Sequence, residues 1–438
     1  MRPPASRRGR RLFAVALLPV LLLCLPSIAT ATTRAQVQKS LKAIVRGMPG
    51  NTSVYVRESA TQTVLASRAP TVKRIPASVT KLFTTSTALL LDGPSARLTT
   101  ELRHTGEIDD DGVLRGDLIL RGSGDPALRL DQITALAQAA TKAGIERIDG
   151  ELRADLNGWT ADQGTPLTGG GYNREIGGRL GALVTLRGFA SGTVTDPARQ
   201  VLVRLRESMR RGGLRGTVQF GAPGPSGADT TVLAKVNSPT LAQLAAATNS
   251  PSDNFYAEML LRGVGARHGA AGTTTAGLAA QRTALSALRV KAQLADGSGL
   301  SRGNRVAPTT VVRLLDQMSA RAEGSALRAS LALAGNTGTL AGRMRGTAAA
   351  GRCRAKTGTL SNVSALAGWC TTAGKRNVAF AILMNNVSVA TARRSQDRVA
   401  AAIAAWSDPA EAVDLPVPTT PVPPSTPTRT TPVVPTTP

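Results

Sequence analysis

Two hydrophobic periods take turns along this chain. Residues 53–57 and 64–68 are short apolar-rich runs that read as a pair of strands. Pro76 and Ala77 lead into residues 78–91, an apolar-rich run that predicts a helix stopped at Asp92-Gly93-Pro94. From Leu98 to about Lys235 the texture changes. Residues 99–104 and 113–121 alternate as strands on either side of a turn signal, Ile108-Asp-Asp-Asp-Gly112. Glycine clusters at 169–171, 177–178 and 212–213 punctuate the rest, and residues 132–143 are its one clear helix. Helical spacing returns at 239–247, 255–264, 273–288 and 308–318. Strands are expected at 352–357, 364–371 and 377–384, then a last helix from about Ala390 to Trp406.

This order predicts an α/β chain of the α+β kind, an antiparallel sheet flanked by helices. Residues 32–97 and 236–410 would form the main domain, and 98–235 an inserted, strand-rich one. Both ends differ from this body. Arg2, Arg7, Arg8, Arg10 and Arg11 precede an apolar run from Leu12 to Ala29, and Ala29-Thr30-Ala31 has the small residues of a cleavage site. Residues 1–31 therefore read as an export signal. Uncleaved, it would be the chain's one link to a membrane. Residues 413–438 are a Pro/Thr tail, with nine prolines and eight threonines, too poor in apolar residues to bury a core.

Three short motifs fall on these elements in order: Ser78-Val-Thr-Lys81, Ser252-Asp253-Asn254 and Lys356-Thr357-Gly358-Thr359. Ser78 and Lys81, three apart at a helix start, share a face. That is the reach an amine needs to take the serine's proton. The helix start lowers the cost of negative charge at Ser78. Lys81 must be neutral to act as base, and burial or a neighbouring cation would depress its pKa, Lys356 being the candidate cation. Ser252 and Asn254, two apart in a turn, can offer a proton-relaying hydroxyl and a carbonyl-fixing amide to one cleft. Lys356, Thr357 and Thr359 supply a cation and hydroxyls suited to a carboxylate. Gly358 lets a substrate backbone lie close, as an added strand would. A backbone N–H beyond it would complete an oxyanion hole with that of Ser78. Each motif alone has a commonplace alternative: a chance SxxK, a helix cap at Ser252 or Asp253, a strand end with a turn glycine. Together they describe serine acyl transfer with lysine as the base. Only two histidines, His104 and His268, are present, too few for comfort in a Ser-His-Asp enzyme.

Composition narrows the remaining classes. Of 53 basic residues only nine are lysines, so the match at Lys81 and Lys356 is selective. Losing the five leader arginines takes the formal charge from +25 to +20. Arginine without interleaved aromatics (3% of residues) is a poor nucleic-acid footprint. No His/Cys cluster has metal spacing. Gly299-Leu-Ser301-Arg-Gly303 mimics a nucleophile elbow, but no histidine follows His268, and it reads as a loop. Gly122-Ser-Gly-Asp125-Pro126 mimics a dinucleotide loop, but Pro126 removes a donor and Asp125 would face the pyrophosphate. Cys353 and Cys370 would lie opposite one another in a hairpin folded about Ser361-Asn362. A disulfide there would brace the strand carrying Lys356. Two buried free thiols are the alternative.

With these motifs and their surroundings, the chain resembles the type-4 penicillin-binding proteins, D-alanyl-D-alanine carboxypeptidases of the penicilloyl-serine transferase superfamily. The surroundings are Gly122-Ser-Gly-Asp-Pro126, Pro251-Ser-Asp-Asn-Phe-Tyr-Ala-Glu258, Asp296-Gly-Ser-Gly-Leu-Ser301 and Arg354-Ala-Lys-Thr-Gly-Thr-Leu360. The resemblance covers roughly residues 38–407. It implies a β-lactamase/transpeptidase-like domain with an insertion between the first two motifs, here a short one. It implies Ser78 as acylated nucleophile, Lys81 as its base and Ser252 as the group passing the proton to the leaving D-alanine. Asn254 would hold the substrate amide, and Lys356, Thr357, Gly358 and Thr359 the terminal carboxylate. The implied partners are peptidoglycan stem peptides, with β-lactams as inhibitors, in the cell envelope or secreted, and no cofactor. Two rivals are a serine β-lactamase and a non-catalytic wall-binding protein. No glutamate stands in the context that activates water in class A β-lactamases, and the intact motifs argue against a mere scaffold.

Overall fold

The computed structural model describes residues 31–160, 162–189 and 195–409. Residues 1–30 of the expected leader and the whole Pro/Thr tail lie outside the described residues. Among the described residues no helix is long and apolar enough to cross a membrane.

In chain order, helix α1 (Arg34–Arg46) opens on a capping box between Thr33 and Gln36. Strands β1 (Thr52–Glu58) and β2 (Val64–Arg68) follow, then a short 3₁₀ turn at Ala77–Thr80 and helix α2 (Lys81–Asp92). Strands β3 (Arg97–His104), β4 (Val113–Leu114) and β5 (Leu118–Arg121) precede α3 (Leu130–Lys142). After β6 (Arg147–Ile148) and β7 (Glu151–Asp155) come α4 (Pro197–Arg211), β8 (Gln219–Phe220) and β9 (Thr231–Thr240). Helices α5 (Leu241–Asn249), α6 (Asn254–His268), α7 (Thr274–Ser286), α8 (Pro308–Ser319) and α9 (Gly324–Ser330) lead to β10 (Ala332–Leu333). Strands β11 (Cys353–Leu360), β12 (Val363–Thr371) and β13 (Asn377–Asn385) and helix α10 (Val389–Ala404) complete the order.

Six strands form one antiparallel sheet in the order β10-β11-β12-β13-β1-β2. Its middle strands are buried on both faces, which is why they read as apolar runs. Along β13, Val378, Phe380, Ile382 and Met384 enter the core shared with α1 and α10. The alternate residues Ala379, Ala381 and Leu383 enter the core under α2 and α8. The small residues on that second face let helices approach closely. Within it Leu82 and Phe83 are fully buried, each worth about 2–3 kcal/mol of apolar burial. Cys353 and Cys370 pair across β11 and β12 and are joined as a disulfide closing a separation of 17 residues.

A second sheet, β8-β7-β5-β3-β9, draws its strands from residues 97–240 and is mixed. Helices α3 and α4 share a core with it. The chain enters and leaves it on neighbouring antiparallel strands, with Arg97 opposite Thr240. Arg262, buried on α6, ties this region down. Its guanidinium donates to the Asp162 carbonyl (2.9 Å) and Thr160 hydroxyl (2.9 Å) and lies over the Trp159 ring.

Three expectations change. The run 113–121 is not one strand, because the chain turns at Gly116, where a Cβ would lie 2.4 Å from the Thr105 carbonyl oxygen. α4 is a second helix in the region, burying Val201, Leu202, Leu205 and Met209 behind an arginine-rich face that hid its period. Residues 78–91 are not one helix either. The 3₁₀ turn carries Ser78, and the α-helix begins at Lys81.

Candidate active site

The turn that carries Ser78 is held from two sides. Ala77 sits at φ 48°, a left-handed conformation costly for a residue with a Cβ, so its surroundings must impose it. Gly299, at φ 89°, packs on it, since a Cβ there would lie 2.0 Å from the Ala77 carbonyl oxygen. Gly358 of β11 closes the other side. A Cβ at 358 would stand 2.5 Å from the Pro76 oxygen and 3.1 Å from the Ser78 nitrogen. The glycine of the third motif is thus required by the turn that bears the first. α2 starts on Thr80, whose side chain makes no capping bond. Ser78 therefore does not stand at the first turn of an α-helix as expected, and the helix-start argument for its charge does not apply.

Lys81 is fully buried. Its Nζ donates to Ser78 Oγ (2.9 Å), Asn254 Oδ1 (2.7 Å) and the Ser298 carbonyl (2.6 Å). An ammonium has three protons, and here each has an acceptor. Burial pulls the Lys81 pKa down to about 8, while the carboxylates of Asp296, Glu258 and Asp253 act in the opposite direction. Burial, not Lys356, is therefore what lowers it. Lys356 is itself fully buried, and its Nζ donates to the Thr357 carbonyl (2.8 Å). Its pKa is pushed well down, first by burial and then by Lys81.

The second motif caps α6. Asp253 accepts from the Tyr256 N–H (2.9 Å). Asn254 has both ends of its amide engaged, since Nδ2 donates to the Glu175 carbonyl (2.8 Å) while Oδ1 takes Lys81. Beside the expected role toward a substrate amide, it thus also holds Lys81. Ser252, at φ 69°, lines the same cleft but is not a partner of Lys81 among the described residues. Ser78, Ser252, Asn254, Thr357 and Thr359 all line one cavity of 560 Å³. Lys81 and Lys356 lie behind its wall, fully buried.

Several site groups were not foreseen as such. Arg343 and Arg393 line the cleft, and Arg393 Nη2 donates to Thr359 Oγ1 (3.2 Å). Thr357 Oγ1 donates to Thr339 Oγ1 (2.8 Å). Behind Lys81, Glu258 accepts from the N–H groups of Gly297 (3.1 Å) and Ser298 (2.8 Å). Burial, then Asp296, pushes its carboxyl up to about 7. Asp296 accepts from the Gly299 (2.8 Å) and Ser301 (2.6 Å) N–H groups. The mimic of a nucleophile elbow at 299–303 is thus part of a loop, 297–303, braced by two acids, and that loop presents the Ser298 carbonyl to Lys81. An acid flanked by apolar helix residues, as Glu258 is, was the available signal. Among the described residues no cluster of His, Cys, Asp and Glu could hold a metal ion.

Residues 35–167 and 176–407 match the D-Ala-D-Ala carboxypeptidase 3 (S13) family. The chain belongs to that family. It is 31% identical to the D-alanyl-D-alanine carboxypeptidase of Actinomadura sp. (strain R39), over 92% of this chain and 91% of that one. It is 30% identical to carboxypeptidase DacB of Mycolicibacterium smegmatis, over 75% of each. Among solved structures, penicillin binding protein 4 (dacB) from Haemophilus influenzae superposes with a TM-score of 0.67 at 22% identity. That match covers 82% of this chain and 97% of the other. The S13 member described here has the transpeptidase/β-lactamase-like fold of that neighbour and is a peptidase of the serine-type D-Ala-D-Ala carboxypeptidase family.

Proposed function

We propose that this S13 member is an exported serine-type D-Ala-D-Ala carboxypeptidase, and also an endopeptidase, that trims peptidoglycan stem peptides. The observation that carries this reading is the buried Lys81 amine 2.9 Å from Ser78 Oγ. Neutral Lys81 takes the hydroxyl proton as Ser78 Oγ attacks the penultimate D-alanine carbonyl. The backbone N–H of Ser78 and that of the residue after Gly358 receive the developing oxyanion. Ser252, on the cleft wall, passes the proton to the departing amine, the C–N bond breaks, and an ester to Ser78 remains. Water then cleaves that ester. Lys356, Thr357 and Thr359 receive the terminal carboxylate, and a penicillin's carboxylate takes the same place, so β-lactams acylate Ser78. The basic, apolar leader supports an extracytoplasmic location.

The test is intact mass of the mature protein after brief exposure to benzylpenicillin, beside Ser78→Ala. The expected result is one drug adduct in the wild type and none in the variant. Absence of an adduct with intact drug would refute acyl transfer. Consumed drug without an adduct would move the assignment to a β-lactamase.

A further inference from the structure

The segment between the first two motifs does more than sit beside the site. A turn within it, Leu186–Gly188, has three consecutive left-handed residues, with φ of 49°, 60° and 63°. Two of them, Leu186 and Arg187, carry a Cβ, so the geometry must be imposed by contacts. Those contacts converge on one side chain. Arg187 Nη1 and Nη2 donate to Asp253 Oδ2 and Oδ1, both at 2.8 Å, a two-pronged ion pair. Its Nε donates to the Gly177 carbonyl (2.7 Å). Its guanidinium lies 4.9 Å from the centre of the Phe255 ring. Gly178 makes room for this, since a Cβ there would stand 2.4 Å from the Arg187 oxygen and 2.8 Å from the Phe255 ring. The same segment delivers the Glu175 carbonyl to Asn254 Nδ2.

We propose that Arg187 is a positioning residue of the acyl-transfer site: it fixes Asp253 so that Asn254 stays against Lys81. The inserted segment is then a working part of the site. Asp253 and Asn254 are adjacent at the start of α6, so a shift of the first moves the second. Asn254 Oδ1 is one of the three acceptors that aim the Lys81 amine, which must point at Ser78 Oγ for the proton to transfer. A lysine at 187 keeps the charge but not the planar fork.

The inference rests on the acyl-transfer reading, and the experiment separates the two. Acylation by a fluorescent penicillin is followed over a range of concentrations, giving the dissociation constant of the first complex and the rate constant of acylation. Values are normalised to the fraction of protein that finally labels. Arg187→Ala is expected to lower the acylation rate constant about ten- to a hundred-fold with the dissociation constant unchanged. Arg187→Lys should recover part of it. An unchanged rate constant, or a loss confined to the dissociation constant, would overturn the proposal. Should Arg187→Ala fail to fold, Arg187→Gln, which keeps most of the stem but neither the charge nor the fork, decides on the same criterion. A wild type that never labels would overturn the acyl-transfer reading, and this inference with it.

Discussion

Lys81 sets a pH dependence that can be worked out in advance. In the proposed mechanism its amine acts as base only when neutral, so acylation should rise with pH along the titration of this one group. With a pKa of about 8, the neutral fraction is about one-tenth at pH 7 and about nine-tenths at pH 9. An amine at the ordinary 10.5 would be neutral in only about three molecules per ten thousand at pH 7. Burial therefore supplies about 300 times more base at that pH. The second perturbation is Glu258→Gln. Burial pushes the Glu258 carboxyl up to about 7, and in its charged form it favours protonated Lys81. Glutamine keeps an acceptor for Gly297 and Ser298 but removes the charge. The Lys81 pKa should fall, and the rising limb should move to lower pH. The assay is the second-order rate constant for labelling by a fluorescent penicillin, taken from about pH 6 to 10. A flat profile would refute Lys81 as the base, and a limb still rising steadily to pH 10 would refute the lowering of its pKa by burial. A limb that moves to higher pH in Glu258→Gln would refute the electrostatic account.

Gly358→Ala forces the Pro76 carbonyl to retreat by about 0.9 Å, from the 2.5 Å approach to ordinary contact. Acylation should fall about ten- to a hundred-fold with little change in melting temperature, and stopped-flow labelling with calorimetry checks both. Reducing the Cys353–Cys370 disulfide, or replacing both residues by serine, should cost about 3 kcal/mol for a closed loop of this length. Denaturant midpoints equal in oxidised, reduced and doubly substituted protein would dismiss the brace. Lys356 is buried with its pKa depressed, and a bound carboxylate would raise it. Penicillin binding to Ser78→Ala should therefore weaken as pH rises through the titration of Lys356, with proton uptake confined to that range, which calorimetry in buffers of different ionisation enthalpy measures.

Much of this was legible in the chain because the chemistry is local in sequence. A serine three residues before a lysine shares its side of the turn whether that turn is 3₁₀ or α, so Ser78 and Lys81 were found despite the misread helix start. The long apolar strands β12 and β13 and helix α8 announced themselves by period. The opposition of residues 353 and 370 followed from a hairpin whose turn was visible at Ser361-Asn362.

Other features had no local signal. The left-handed Ala77 is imposed by Gly299 and Gly358, which lie 222 and 281 residues away in the chain. The contact of the Asn254 oxygen with Lys81 is one that only the packing of α6 against α2 produces. Arg187 is one arginine among many until the fold sets it against Asp253. The sequence alone determined which side chains are candidates for acyl transfer and the order in which they follow one another along the chain. The tertiary structure decided which of them touch, because burial, ion pairing and close backbone approach arise between segments that only folding brings together.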